Sequence, residues 1–139
     1  MATEVYYQSQ VIKDTLFACK GAVAFKMAHR FISGIPDLLI KVPEYPVILV
    51  EMKLVKFNSL KTRSIKVQTT ELQRRFMQDF EMAGIHCEVW IVMEGGKNPE
   101  MIRAPYNSER VDLEEKSIVV RERGQKWPIM KFLSEPLKS

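Results

Sequence analysis

Apolar and polar positions change their period several times along the chain, and each change marks an element. Residues 4–19 set Val5, Ser9, Ile12, Leu16 and Cys19 at helical spacing with Gly21 beyond as a stop, which predicts an amphipathic first helix. From Ala22 the period becomes two, with Val23, Phe25 and Met27 on one face and Ala24, Lys26 and Ala28 on the other, so a strand follows. Ser33-Gly34 breaks the chain and Pro36 restarts it. Residues 37–41 then read as a short strand, and residues 47–55, beyond Pro43 and Pro46, as the most strand-like run of all. Residues 56–68 are polar, basic and aperiodic, which predicts a functional or mobile loop. Thr70 and Gln73 carry a capping-box signature, and Leu72, Phe76, Phe80 and Ala83 follow at helical spacing, giving a helix over about 70–83 that Gly84 ends. Ile85, Cys87, Val89, Ile91 and Met93 alternate with His86, Glu88 and Trp90 as a further strand up to Gly95-Gly96. Beyond Asn98 the pattern weakens to one more strand within 117–122, and Pro99, Pro105, Pro128 and Pro136 argue against long helices. The order helix, three strands, helix, strand indicates a mixed α/β domain.

Composition adds bounds. With 139 residues, 46% hydrophobic and 27% charged, the chain suits one globular domain with a real core. No apolar run approaches the roughly 20 residues of a membrane-spanning helix. The first residues lack the basic flank and apolar stretch of a secretory signal, so a cytoplasmic protein without a membrane partner is expected. Cys19 and Cys87 form no CxxC pair and read as buried thiols. The net charge of +4 names no partner, but its distribution is uneven. Residues 53–75 hold seven bases (Lys53, Lys56, Lys61, Arg63, Lys66, Arg74 and Arg75) against Glu71 alone, a local charge of +6. Such a block is either a solvated face or a phosphate-contacting loop.

Candidate chemistry lies where charged side chains interrupt apolar strands. In the run 47–55, Ile48, Val50, Met52 and Leu54 make one unbroken apolar face, while Glu51 and Lys53 project side by side from the other. Pairing this strand with 37–41 so that their apolar faces coincide brings Asp37 near Glu51 or Lys53. Two adjacent carboxylates repel unless they share a proton or bind a divalent cation through oxygen ligands. A neighbouring lysine can orient water and neutralise charge developing on a phosphate. The alternative is an ordinary Glu51–Lys53 ion pair on an exposed hairpin, with Asp37 merely opening a strand. The basic segment that follows directly favours the first reading, since a polyanion would lie there.

Pro36-Asp37, thirteen intervening residues and Glu51-Met52-Lys53 resemble the PD-(D/E)xK nuclease signature. The stretches 33–40 (Ser33-Gly34-Ile35-Pro36-Asp37-Leu38-Leu39-Ile40) and 50–53, with Leu72-Gln73 and Ala83-Gly84, resemble one branch of it, the stand-alone virus-type replication-repair nuclease (VRR-NUC) domain. The resemblance covers roughly residues 4–93. It implies a restriction-endonuclease-like α-β-β-β-α-β core with a mixed central sheet flanked by helices, followed by a C-terminal extension over about 94–139, all within one nuclease domain. It also implies that Asp37, Glu51 and the backbone carbonyl of Met52 ligate Mg²⁺ or Mn²⁺, that Lys53 positions the attacking water, and that Gln73 sits at the edge of the site. The capping box offers a competing role for the Gln73 side chain. Glu4 is a candidate further carboxylate, although an acid in a helix's first turn is favoured by the dipole anyway.

The implied activity is divalent-metal-dependent endonucleolytic hydrolysis of DNA, of branched structures or Holliday junctions by homodimers, with no small-molecule cofactor; viral or bacterial origin would fit. Lys56, Lys61, Arg63 and Lys66, with Arg30, are the expected DNA-backbone contacts. His29 reads as a partly buried structural residue, and Trp127, Ile129, Met130, Phe132 and Leu133 offer apolar cover for a partner. Competing readings are a nuclease acting on linear duplex or DNA ends, a DNA-binding module with the fold but no catalysis, and an interaction protein in which the triad is a surface ion pair.

Overall fold

The computed structural model describes residues 2–27, 33–56, 63–113 and 117–137. His29, Arg30 and Lys61 lie outside the described residues. In chain order the elements are α1 (Glu4–Ala18), β1 (Val23–Lys26), β2 (Leu38–Lys41), β3 (Ile48–Lys56), β4 (Ser64–Lys66), α2 (Glu71–Met82), β5 (His86–Glu94), β6 (Glu100–Pro105), β7 (Arg110–Asp112), β8 (Val119–Val120) and α3 (Ile129–Ser134). Six strands form one mixed sheet in the order β1-β2-β3-β5-β6-β8, in which β3 and β5 pair in parallel and the other neighbours are antiparallel. α2 lies in the connection between the two parallel strands, as a parallel crossover requires. β4 and β7 make a separate two-stranded antiparallel ribbon.

The sheet is covered on both faces. On one face Ile48, Val50 and Met52 pack with Tyr7 and Val11 of α1 and with Ile129, Phe132 and Leu133 of α3. On the other, Leu49, Val89 and Ile91 pack with Met77 of α2 and with Ile65, Val67 and Val111 of the ribbon region. The parity expected for 47–55 therefore holds, and Glu51 and Lys53 face the α2 side. No helix among the described residues is long and apolar enough to cross a membrane.

Several expectations are corrected. The segment 56–68 is not wholly a loop, since it contributes β4, whose pairing partner β7 lies more than forty residues downstream. The first helix buries Tyr7, Gln8, Val11, Asp14 and Thr15 and leaves Val5 and Leu16 exposed. The reason is tertiary: Asp14 Oδ2 accepts the Trp127 N–H at 2.8 Å and Gln10 Oε1 the Trp127 indole N–H at 3.0 Å, so the polar side of α1 is turned inward to hold the C-terminal segment. That segment is woven into the core rather than offered to a partner. Trp127, Ile129, Phe132 and Leu133 are buried within the chain, and only Met130 of the expected group is exposed. Trp90 meets Phe132 edge to face at 5.0 Å between ring centres. Cys87 is a buried free thiol that burial pushes up to about 12, whereas Cys19 is only partly buried.

β5 is buried on both faces, so the alternation seen in its sequence does not mark a wet side. Glu88, on the expected polar side, is fully buried and held by the Arg103 guanidinium through Nε and Nη2, both at 2.7 Å. The Trp90 indole N–H donates to the same carboxylate at 2.8 Å, and His86 Nε2 lies 2.7 Å from it. Arg103 Nη1 also donates to the carbonyls of Leu133 and Glu135, at 2.9 and 2.8 Å, tying the C-terminal end of α3 to the sheet.

Candidate active site

β3 extends beyond β2 on their shared edge, and that overhang builds the site. Leu38 pairs with Val50, so the same register continued by one residue sets Asp37 across from Glu51. Asp37 precedes the ladder. Its Oδ2 accepts the Met52 N–H at 2.9 Å, replacing a bond the departed strand would have made. One turn of pleat further, Glu4 Oε2 accepts the Leu54 N–H at 3.2 Å. Two carboxylates thus satisfy the unpaired edge of β3. The N–H and C=O of one strand residue leave on the same side, so the Met52 carbonyl is directed to the edge that Asp37 occupies.

Glu51 and Lys53 project toward α2. Glu51 is 2% exposed; its Oε2 accepts from Gln73 Nε2 at 3.0 Å and pairs with Lys53 Nζ at 3.3 Å. Its Oε1 is buried without a hydrogen-bond partner. Lys53 Nζ also donates to Gln73 Oε1 at 3.1 Å. The capping box forms as well, with Thr70 N–H donating to Gln73 Oε1 at 2.9 Å and Gln73 N–H donating to Thr70 Oγ1 at 3.1 Å. The two roles expected to compete for Gln73 are compatible. Its oxygen serves Thr70 and Lys53 and its nitrogen serves Glu51, and only this orientation of the amide matches donors with acceptors.

The electrostatics are unbalanced. Burial raises both carboxyls, and for Glu51 the neighbouring Asp37 charge adds to it, against the opposing pull of Lys53; the result is a Glu51 carboxyl pushed up to about 8. Asp37 is raised less freely because the Met52 N–H and Lys53 favour its charged form. One lysine does not neutralise two carboxylates in this setting. The orphaned Glu51 oxygen and an all-oxygen donor set fit a hard divalent cation. Among the described residues no three His, Cys, Asp or Glu side chains stand close enough to hold a metal together, so Glu4 does not complete a three-carboxylate cluster.

No protein-family profile matches the chain, and no curated protein sequence matches it. Among solved structures, the Holliday junction resolvase Hjc of Archaeoglobus fulgidus superposes with a TM-score of 0.51 at 12% identity, covering 76% of this chain and 84% of that one. A VRR-NUC domain superposes with a TM-score of 0.43 at 24% identity, covering 68% of this chain and 87% of that one. The fold is restriction-endonuclease-like.

Within the restriction-endonuclease-like fold, Gly34 sets the distance between the Asp37 loop and α2. Its φ is +88°, and a Cβ there would lie 2.8 Å from Leu72 Cγ and 2.9 Å from Phe76 Cδ2. Glycine is required on both counts. Gly34→Ala is expected to destabilise the protein by about 1–3 kcal/mol in urea unfolding; an unchanged midpoint would show that the loop can move without cost.

The expected DNA contacts are distributed unevenly around this fold. Lys56 continues β3 on the face opposite to Glu51 and forms a 2.8 Å ion pair with Glu94. Arg63 leads into β4, its carbonyl accepting the Leu113 N–H at 3.0 Å. Lys66 lies in β4 directly across from Arg110 of β7, on the ribbon that packs over the α2 face. Arg74 and Arg110 line a cleft with Lys66. Sequence spacing carries no signal for Arg110, because it reaches Lys66 only through a pairing between distant segments.

Proposed function

We propose that the protein is a divalent-metal-dependent DNA endonuclease that hydrolyses phosphodiester bonds, with branched DNA such as a Holliday junction as its preferred substrate. The observation that carries this reading is the buried Asp37–Glu51 pair, undercompensated in charge and with Glu51 Oε1 unpartnered, beside Lys53. Support also comes from the fold shared with a Holliday junction resolvase and from the motif resemblance in residues 33–53.

Asp37 and Glu51, with the Met52 carbonyl, would hold Mg²⁺ or Mn²⁺, and Glu4 adds negative charge at the rim. The chemistry such a cation supplies when bound is charge stabilisation at the phosphate and a lower pKa for water. Lys53 is tethered between Glu51 Oε2 and Gln73 Oε1, which fixes Nζ over the carboxylates, where it orients a water and its proton and meets charge developing on the phosphate. Gln73, pinned by Thr70, keeps both partners in place. Each chain carries one such site and cuts one strand, so symmetric incision of a junction calls for a homodimer.

The test is cleavage of a fluorescent four-way junction and a linear duplex by wild type, Asp37→Asn and Lys53→Ala, with Mg²⁺, Mn²⁺ or EDTA. Wild type should cut the junction in either metal and not in EDTA, and each substitution should lower the rate on the order of 10²-fold or more. Cleavage that persists in EDTA overturns the reading, and salt-sensitive binding without cleavage identifies a non-catalytic DNA-binding module.

A further inference from the structure

We propose that Lys66, Arg74 and Arg110 form a phosphate-binding cleft that anchors a segment of DNA backbone beside the cutting site, an inference that rests on the nuclease reading. The three side chains line a cleft of about 420 Å³ together with Val67 and Glu109, three cations to one carboxylate. The ion pairs among the described residues involve Lys53, Lys56, His86 and Arg103, and none involves these three cations.

The ribbon itself argues that an anion belongs here. Lys66 and Arg110 are direct cross-strand partners. Like charges in that position destabilise a strand pair, and an anion lodged between them reverses the sign of the interaction. Both guanidinium groups are also anchored. Arg110 Nη2 donates to Ser64 Oγ at 2.9 Å, and Arg74 Nη1 donates to the Thr69 carbonyl at 3.3 Å. An anchored guanidinium has less freedom to lose on binding a phosphate, and its remaining N–H groups suit bidentate contact.

Position links the cleft to the chemistry. Arg74 follows Gln73, whose amide bonds both Glu51 and Lys53. Arg74 also lines a second cleft on α2 together with Arg75, Gln78 and Tyr106, where Glu71 is the one carboxylate. The cleft and the candidate site thus both draw on the first turn of α2. The segment after residue 93 thereby acquires a role, because it supplies Arg110.

The test is fluorescence anisotropy of the full chain with a labelled linear duplex in EDTA, so that no strand is cut, over roughly 50–200 mM salt. Each phosphate contact contributes about 0.9 to the slope of log K against log salt. Arg110→Gln should lower that slope by about 1, and Lys66→Gln with Arg110→Gln by about 2. Lys126→Gln, which removes a cation that lies over the Phe17 ring, should leave it unchanged. Melting curves check folding, and Lys66→Gln alone serves if Arg110→Gln melts early. An unchanged slope in folded variants, or an equal fall with Lys126→Gln, overturns the cleft. Wild-type cleavage in Mg²⁺ is scored separately: a lowered slope without cleavage refutes the nuclease and leaves the cleft standing, whereas cleavage with an unchanged slope refutes the cleft alone.

Discussion

Replacing Glu51 by Gln is expected to lower metal-dependent cleavage on the order of 10³-fold and, in metal-free buffer above pH 8, to make the protein more stable. Gln keeps the shape and can still accept from Gln73 Nε2, but it removes a charge that is 2% exposed and faces Asp37. The sign follows from proton linkage. The folded Glu51 carboxyl titrates at about 8 against an ordinary 4.5, so the native state holds the proton more tightly than the unfolded chain. Its contribution is fully present below about pH 4.5 and is lost as the pH rises through 8. Wild type should therefore weaken along that range by an amount on the order of a few kcal/mol, and Glu51→Gln should not. In the proposed function a divalent cation bound here would supply the missing counter-charge. Mn²⁺ should raise the wild-type melting temperature more at pH 8 than at pH 5 and have little effect on Glu51→Gln. Equal metal shifts at the two pH values would contradict a cation site on this carboxylate. Activity is expected to fall on the order of 10³-fold, the scale of losing a main electrostatic contributor in a dry site.

The second large effect is on folding. Arg103→Met should cost about 3–5 kcal/mol in denaturant unfolding, since it strands a buried carboxylate. Burial alone would raise Glu88, but the hydrogen bonds and charge of Arg103 outweigh it and hold the carboxyl below the usual range. Without the guanidinium, Glu88 retains only the Trp90 indole N–H and His86, and the α3 carbonyls lose their donor. Replacing both members, Glu88→Leu with Arg103→Met, should recover a substantial part of the loss, as buried ion pairs often contribute little net stability over apolar residues of similar size. A double variant no better than Arg103→Met would assign the effect to α3 anchoring instead.

What could be seen in the sequence follows from how local each signal is. β3 and its two-sided parity were legible because every even position from Ile48 to Leu54 is apolar while Glu51 and Lys53 share the odd face, and that parity limited Asp37 to the neighbourhood of Glu51 or Lys53. α2 was legible from the Thr70–Gln73 box, although the sharing of Gln73 between cap and site depends on β3 lying within reach. β4 was not legible: Ser64-Ile65-Lys66 contains one apolar residue, too few to set a period, and its partner comes from beyond β6. The inward side of α1 was missed for a similar reason. Apolar side chains occur all around that helix, and the choice is made by Asp14 and Gln10, whose partner Trp127 lies over one hundred residues away. The burial of Glu88 was not legible from the alternation of its strand, because its partner Arg103 lies one strand further on.

The interleaving of α3 with the sheet has a consequence for when the protein becomes competent. Asp37, Glu51, Lys53 and Gln73 all precede the two strands beyond β5 in the chain, and the helix clasped by Arg103 is made about 55 residues after Gln73, several seconds later at roughly 5–20 residues per second. Before β6 is made β5 has an open edge, and until α3 is made the layer that backs β3 on the α1 side is incomplete. A nascent chain thus carries all four candidate-site side chains before the scaffold that fixes their spacing is complete, and that scaffold closes only when α3 docks.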